Sequence, residues 1–164
     1  MARLFVLALA ACFYLQPGIA LAQDSAKQLV GTWKVTSLVS KFVGEPATDT
    51  FGPNPKGRLV LTPDGYWIII ITRADRVPAK TSDEKAALLD SMLAYSGKYT
   101  IDGDRLTTRV DMSWHEIYTG ERQNLTRFFS VEGDKLVIRT GQIVSSTVRQ
   151  GELVEGILTL EREH

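Results

Sequence analysis

Cysteine is nearly absent: the 164 residues hold one, Cys12, in an apolar stretch near the N terminus. A chain that loses that stretch has no thiolate chemistry and no disulfide, so a hydrophobic core must hold it together. Histidine is scarce as well, with only His115 and His164, and neither has a second histidine or a cysteine at metal-ligand spacing, so no metal site is expected. No charge sign dominates, because 19 basic side chains face 19 acidic ones. The chain therefore lacks a broad basic field for nucleic acid or anionic lipid. Glycine-rich phosphate loops and nucleophile elbows are missing, and no cofactor or catalytic residue is indicated.

One long apolar run exists, and it is N-terminal. Met1-Ala2-Arg3 precedes a run from Leu4, and Ala20-Leu21-Ala22 precedes polar Gln23-Asp24-Ser25, the charged, apolar and small-residue order of a secretory signal peptide. Gln16-Pro17-Gly18 interrupts the run, which argues against a membrane anchor, since a span needs about 20 apolar residues. Leu9-Ala10-Ala11-Cys12 is similar to a lipoprotein cleavage site, but the stretch before Cys12 is short and the chain stays apolar after it. The expectation is a signal peptide over 1–22, cleaved near Ala22, and one secreted or periplasmic domain over 23–164 with no transmembrane segment.

Three segments of that domain share one pattern. Leu61-TPDG-Tyr66, Ile101-DGDR-Leu106 and Val131-EGDK-Leu136 each place four turn-forming residues between apolar flanks, the signature of tight hairpins. Around them, alternation predicts eight strands near 31–42, 57–62, 66–73, 95–101, 105–114, 123–132, 135–144 and 153–162. Thr81-Ser82-Asp83-Glu84 has capping-box spacing, and Leu88, Leu89, Met92 and Leu93 recur at helical intervals, which predicts one helix over 82–93, between strands three and four. Such an all-β chain makes a sandwich or an antiparallel up-and-down β-barrel. The three short hairpins at one end and the long connections at the other favour the barrel, with a closed base and an open mouth.

The order Leu29-Val30-Gly31-Thr32-Trp33-Lys34, Leu61-Thr62-Pro63-Asp64-Gly65-Tyr66, Tyr95-Ser96-Gly97-Lys98-Tyr99 and Leu158-Thr159-Leu160-Glu161-Arg162 resembles the bacterial and fungal lipocalin-like domain family over nearly all of the mature chain. Gly31-Thr32-Trp33 is also similar to the Gly-x-Trp signature of lipocalins. That resemblance implies a calycin-type barrel whose Trp33 plugs the base against Arg162. The family's fifth strand often carries a His-His pair with a proline soon after; Thr108-Arg109 and Glu116 stand there in this chain, so no role of those histidines carries over.

Hairpin flanks that face the core fix the direction of every other side chain in a strand. The expected inward set is Trp33, Val35, Ser37 and Val39; Leu59, Leu61, Tyr66, Ile68 and Ile70; Tyr95, Gly97, Tyr99 and Ile101; Leu106, Thr108, Val110, Met112 and Trp114; Leu125, Arg127, Phe129 and Val131; and Leu136, Ile138, Thr140 and Gln142. Arg127 is the anomaly, because a guanidinium in an oily interior needs an anion or hydrogen-bond acceptors. It is a polar anchor for a ligand, unless a bulge turns it outward or an acid such as Glu116 pairs with it. Tyr95 and Tyr99 can line a pocket or simply pack as core aromatics. Met112 and Trp114 offer adaptable apolar contact near the mouth or pack beneath the helix.

The reading favoured by these residues is a binding module. A small hydrophobic molecule with one polar or anionic group would lie in the barrel against Tyr95, Tyr99, Met112, Trp114, Arg127, Phe129 and Gln142. A cofactor-free cyclase, isomerase or hydratase acting on a polyketide-like or terpenoid-like ligand is the alternative, though no evident general base serves it. A structural envelope domain with a filled barrel is a third reading. Asn124-Leu125-Thr126 is a glycosylation sequon by pattern.

Overall fold

Turn chemistry and alternation build a closed sheet. The computed structural model describes residues 27–120, 123–145 and 149–164, and the leader expected over 1–22 lies outside the described residues. In chain order the elements are β1 (Gly31–Phe42), β2 (Thr48–Asp49), β3 (Lys56–Leu61), β4 (Tyr66–Thr72), α1 (Ser82–Asp90), β5 (Met92–Asp102), β6 (Arg105–Ser113), a 3-10 turn (Glu116–Tyr118), β7 (Asn124–Glu132), β8 (Lys135–Val144) and β9 (Leu153–Arg162). From β3 onward each strand pairs antiparallel with the next, and β1 pairs with both β3 and β9. The eight long strands thus close as the up-and-down barrel that the spacing predicts, with the helix in the predicted connection. The two-residue β2 is an addition, a flap paired with Val39 and Ser40 of β1.

The helix is shorter than the 82–93 expected. Its start is the capping box: Glu84 N–H donates to Thr81 Oγ1 at 3.2 Å, and the Glu84 carboxylate accepts from Thr81 N–H at 3.0 Å. Met92 and Leu93, read as part of its apolar stripe, instead begin β5 opposite Thr72 and Ile71. None of its residues is buried, in keeping with a helix laid across an opening.

The base is sealed by Trp33. Its indole is buried and donates to Leu29 O at 2.8 Å, and the Arg162 guanidinium stacks 4.1 Å from the ring centroid. Arg162 also donates to Val30 O at 3.0 Å and to Gln28 O. Gly31 is needed beside this pair, since its φ of +139° disfavours a side chain and a Cβ would lie 2.7 Å from Arg162 Nη1. Leu29, Leu61, Leu106, Leu136 and Leu160 pack into the same core.

Four irregularities change which side chains face inward. The first hairpin pairs Leu61 with Trp67, not with Tyr66, so five residues form the turn and β4 is rotated by one position. Tyr66, Ile68 and Ile70 therefore point out, and Trp67, Ile69 and Ile71 point in, the reverse of the expectation. In β1, Thr36 is an extra residue between Val35 and Ser37, and beyond it Leu38, Ser40 and Phe42 line the interior in place of Ser37 and Val39. In β6, Asp111 is extra, because Gly97 pairs with Val110 and Ser96 with Met112; the bulge throws Met112 outward, 69% exposed. In β8, Thr140 and Gly141 together stand opposite Gly156, and Gln142 beyond them is exposed. A one-residue slip exchanges the two faces of a strand, which is why each bulge redirects everything after it.

Two substitutions check this architecture. Trp33→Ala should cost about 3–5 kcal/mol in chemical denaturation, the scale of deleting a buried aromatic; a loss under about 1 kcal/mol would contradict the role of the plug. Gly97→Ala should be worse, because its Cβ would fall 2.0 Å from the Arg109 carbonyl oxygen across the bulge, and soluble expression of a variant with wild-type melting temperature would rule that packing out.

Candidate functional site

The long connections meet at the open end and enclose a cavity of about 510 Å³. Leu38 and Phe42 from β1, Phe51 after β2, Leu89 from α1, Leu93 from β5, and Ile143 and Val154 from the β8–β9 pair supply an apolar wall, with Trp114, His115 and Tyr118 from the β6–β7 connection. Trp114 Nε1 donates to Leu89 O at 3.3 Å, which ties α1 to the rim. The 3-10 turn that carries Tyr118 starts with a side-chain cap, in which Ile117 N–H donates to His115 Nδ1 at 3.2 Å.

Tyr118 forms the floor of this cavity, and a column of stacked rings continues below it. Trp114 and Tyr118 lie 5.3 Å apart at 30°, Tyr118 and Tyr95 5.7 Å apart at 22°, and Tyr95 and Trp67 6.0 Å apart at 9°. The Arg127 guanidinium lies beside the lower two rings, 5.6 Å from the Tyr95 centroid and 5.9 Å from that of Trp67. Arg127 thus faces inward as its alternation predicts. It donates to Leu125 O at 3.3 Å, and among the described residues no carboxylate pairs with it. Glu116 instead accepts from Thr119 Oγ1 at 3.0 Å. Trp67 Nε1 faces the Tyr95 hydroxyl without a well-formed hydrogen bond, and Thr108 Oγ1 lacks a partner among the described residues; both side chains are fully buried.

Electrostatics follow from that burial. Desolvation pushes the Tyr95 phenol above its ordinary range, with the Arg127 charge opposing the shift. Tyr118 is raised for the same reason and with the same opposition. Both hydroxyls stay protonated near neutrality, so the interior presents neutral phenols, an indole N–H, a hydroxyl and one guanidinium.

The seven residues singled out from the sequence separate into groups. Tyr95 and Arg127 meet below the floor, and Phe129 packs against the core from the same inner face. Trp114 stands at the rim. Tyr99 is at the base, where its hydroxyl donates to Thr62 O at 3.0 Å. Met112 and Gln142 lie outside the barrel, turned there by their bulges. Trp67, Thr108 and Tyr118 join the site although the sequence did not mark them as contacts. The Pro63-Asp64-Gly65 turn was the available clue for Trp67, while an aromatic in a polar connection was the only one for Tyr118.

The lipocalin-like domain profile matches residues 30–163. The chain belongs to the lipocalin-like domain family. This agrees with the resemblance carried by Gly31-Thr32-Trp33 and the hairpin motifs. No curated protein matches the sequence. Among solved structures, this lipocalin-like chain is similar to Rv2717c from M. tuberculosis, at 13% identity over 92% of this chain and 100% of that one, with a TM-score of 0.37. Among the described residues, no group of three or more His, Cys, Asp or Glu side chains could hold a metal ion, and no helix is long and apolar enough to cross a membrane.

The mouth of the lipocalin-like barrel is held by an ionic latch. Arg149 donates to both Glu45 carboxylate oxygens at 2.7 and 2.8 Å and to Glu152 at 3.1 Å, while its guanidinium lies 4.2 Å over the Phe42 ring. The hydrogen bond from Arg149 holds the Glu45 carboxyl below its ordinary value of 4.5. A depressed folded pKa contributes stability that is present above the unfolded value and is lost as pH falls through the folded one. The difference in melting temperature between wild type and Arg149→Met should therefore be constant above about pH 5 and shrink in more acidic buffer. A difference that grows on acidification would exclude the latch.

Proposed function

We propose that this chain is an exported lipocalin-like protein that holds a small hydrophobic molecule, bearing one polar or anionic group, inside its barrel. One observation carries the reading: a mostly apolar cavity of about 510 Å³, with polar residues such as Asp90 and Thr140 in its wall, ends at a floor beneath which Arg127 has no acidic partner among the described residues. Ligand sites of this class are concave and mostly apolar, with few polar groups to fix orientation. A guanidinium kept in such a place is best matched by a ligand oxygen. Export rests on the order of residues 1–25, with cleavage near Ala22 and a secreted or periplasmic domain over 23–164.

The neutral probe N-phenyl-1-naphthylamine should bind saturably, one molecule per barrel, and quench tryptophan emission. Leu38→Trp, which fills the cavity, should abolish that binding while leaving the circular dichroism spectrum unchanged. Equal binding by wild type and the filled variant would place the probe outside the barrel and sink the reading. Arg127→Met retains much of the stem and removes the charge. It should keep the fold and lose about 1.5–3 kcal/mol of binding to a ligand with a charged or carbonyl oxygen. A stability loss of about 3–5 kcal/mol would instead mean a stranded structural partner.

A further inference from the structure

Building on that reading of the barrel as a container, we infer that the polar end of its ligand is a carboxylate, received beneath Tyr118 by Arg127 together with Trp67 Nε1 and Thr108 Oγ1. The three donors come from three strands and share one inner face. Leu106 pairs with Arg127 and Thr108 with Leu125, so Thr108 and Arg127 are diagonal neighbours, about 7–8 Å apart by ladder geometry. Trp67 stands opposite Gly97, which pairs with Val110 next to Thr108. At Gly97 the β6 backbone closes in, with the Arg109 carbonyl oxygen where a side chain would begin, which brings the strand of Thr108 close to that of Trp67.

The state of each donor sets the class of ligand. The indole N–H can only donate and a guanidinium can only donate; both face the neutral Tyr95 hydroxyl, the guanidinium also reaches Leu125 O, and the Thr108 hydroxyl has no partner among the described residues. Lying within about 6 Å of two ring centroids, the guanidinium is held by cation–π attraction and, among the described residues, turns N–H groups only to Leu125 O and the Tyr95 hydroxyl, which leaves the rest of its fork for a ligand. An ammonium head would be repelled by Arg127 and would offer the orphaned donors nothing. An alcohol or ester would accept weakly and leave the half-buried charge unneutralised. A carboxylate has two oxygens with about four lone-pair positions, enough for a forked guanidinium and two further donors. Tyr118 sits on an irregular connection between cavity and donors, so its ring is the side chain that must turn aside for a head group to enter.

Buried polar atoms without partners weaken the empty protein, and an isosteric apolar replacement removes that penalty. Thr108→Val should therefore do two opposite things: raise the melting temperature of the ligand-free protein and weaken the ligand. The measurement is displacement of N-phenyl-1-naphthylamine at pH 7.5 by ten-carbon probes below their micellar concentrations: decanoate, methyl decanoate, 1-decanol and decylamine. On wild type, decanoate should displace at a concentration about ten-fold or more below the other three, a charged hydrogen bond's worth. Arg127→Met should erase that preference, and Thr108→Val should reduce it about five-fold, the scale of one neutral hydrogen bond. Equal displacement by decanoate and methyl decanoate, or better displacement by decylamine, would overturn the carboxylate while leaving the container intact. A Thr108→Val variant with lower stability, or with unchanged preference, would remove Thr108 from the set. Failure of N-phenyl-1-naphthylamine to bind wild type at all would defeat the container reading and this inference with it.

Discussion

The interior exists only because β1 finds β9. Their ladder runs from Trp33 opposite Arg162 to Phe42 opposite Val154 and converts an open meander into a closed wall. It joins residues more than a hundred positions apart, so the chain must order every intervening hairpin before that contact rewards it. The lock at the base is local and strong: a ring face, a cation and two backbone carbonyls converge on the one glycine that leaves them room. A barrel that closes has no sheet edges to protect. It also leaves side chains of alternate positions no place but the lumen.

That confinement explains the odd chemistry inside. Toward the base the lumen is filled with fully buried leucine and tryptophan side chains. Beside them stand a half-buried arginine, an indole N–H and a threonine hydroxyl with few acceptors. Such groups are normally eliminated from cores or fully hydrogen-bonded. Here the closed ladder and the packed base supply the stability that lets them persist, and stacked aromatic rings separate them from the mouth. A polar set kept at the expense of stability is an arrangement that packing alone does not favour.

Alternation and turn chemistry made the strands, the closure and the base plug legible, since each rests on spacing within a few residues. Arg127 was legible for the same reason: the Val131–Leu136 hairpin anchors its strand, and no bulge intervenes between Arg127 and that turn. What spacing does not carry is a bulge. Val35-Thr36-Ser37 and Arg139-Thr140-Gly141 look like regular strand, yet each holds one residue more than its partner. In β4, Tyr66-Trp67-Ile68-Ile69-Ile70-Ile71 is oily on both faces, so hydrophobicity offers no register. The five-residue turn decides instead that Trp67 looks inward. Met112 and Gln142 were misplaced because they lie just past such irregularities, and Tyr118 because its connection has no period to read.

The seam between the first and last strands has a consequence for connectivity. Glu163 N–H donates to Thr32 O at 2.9 Å, and Arg162 reaches the carbonyl of Gln28, so the two ends of the barrel's chain are neighbours in space. Nothing in the wall distinguishes this seam from a hairpin except the missing turn. The order in which the strands are threaded is then incidental to the pairing. A chain joined across the seam and reopened at the exposed turn around Gly103 would present the same ladders, plug and lumen from a permuted gene, as neighbouring termini allow.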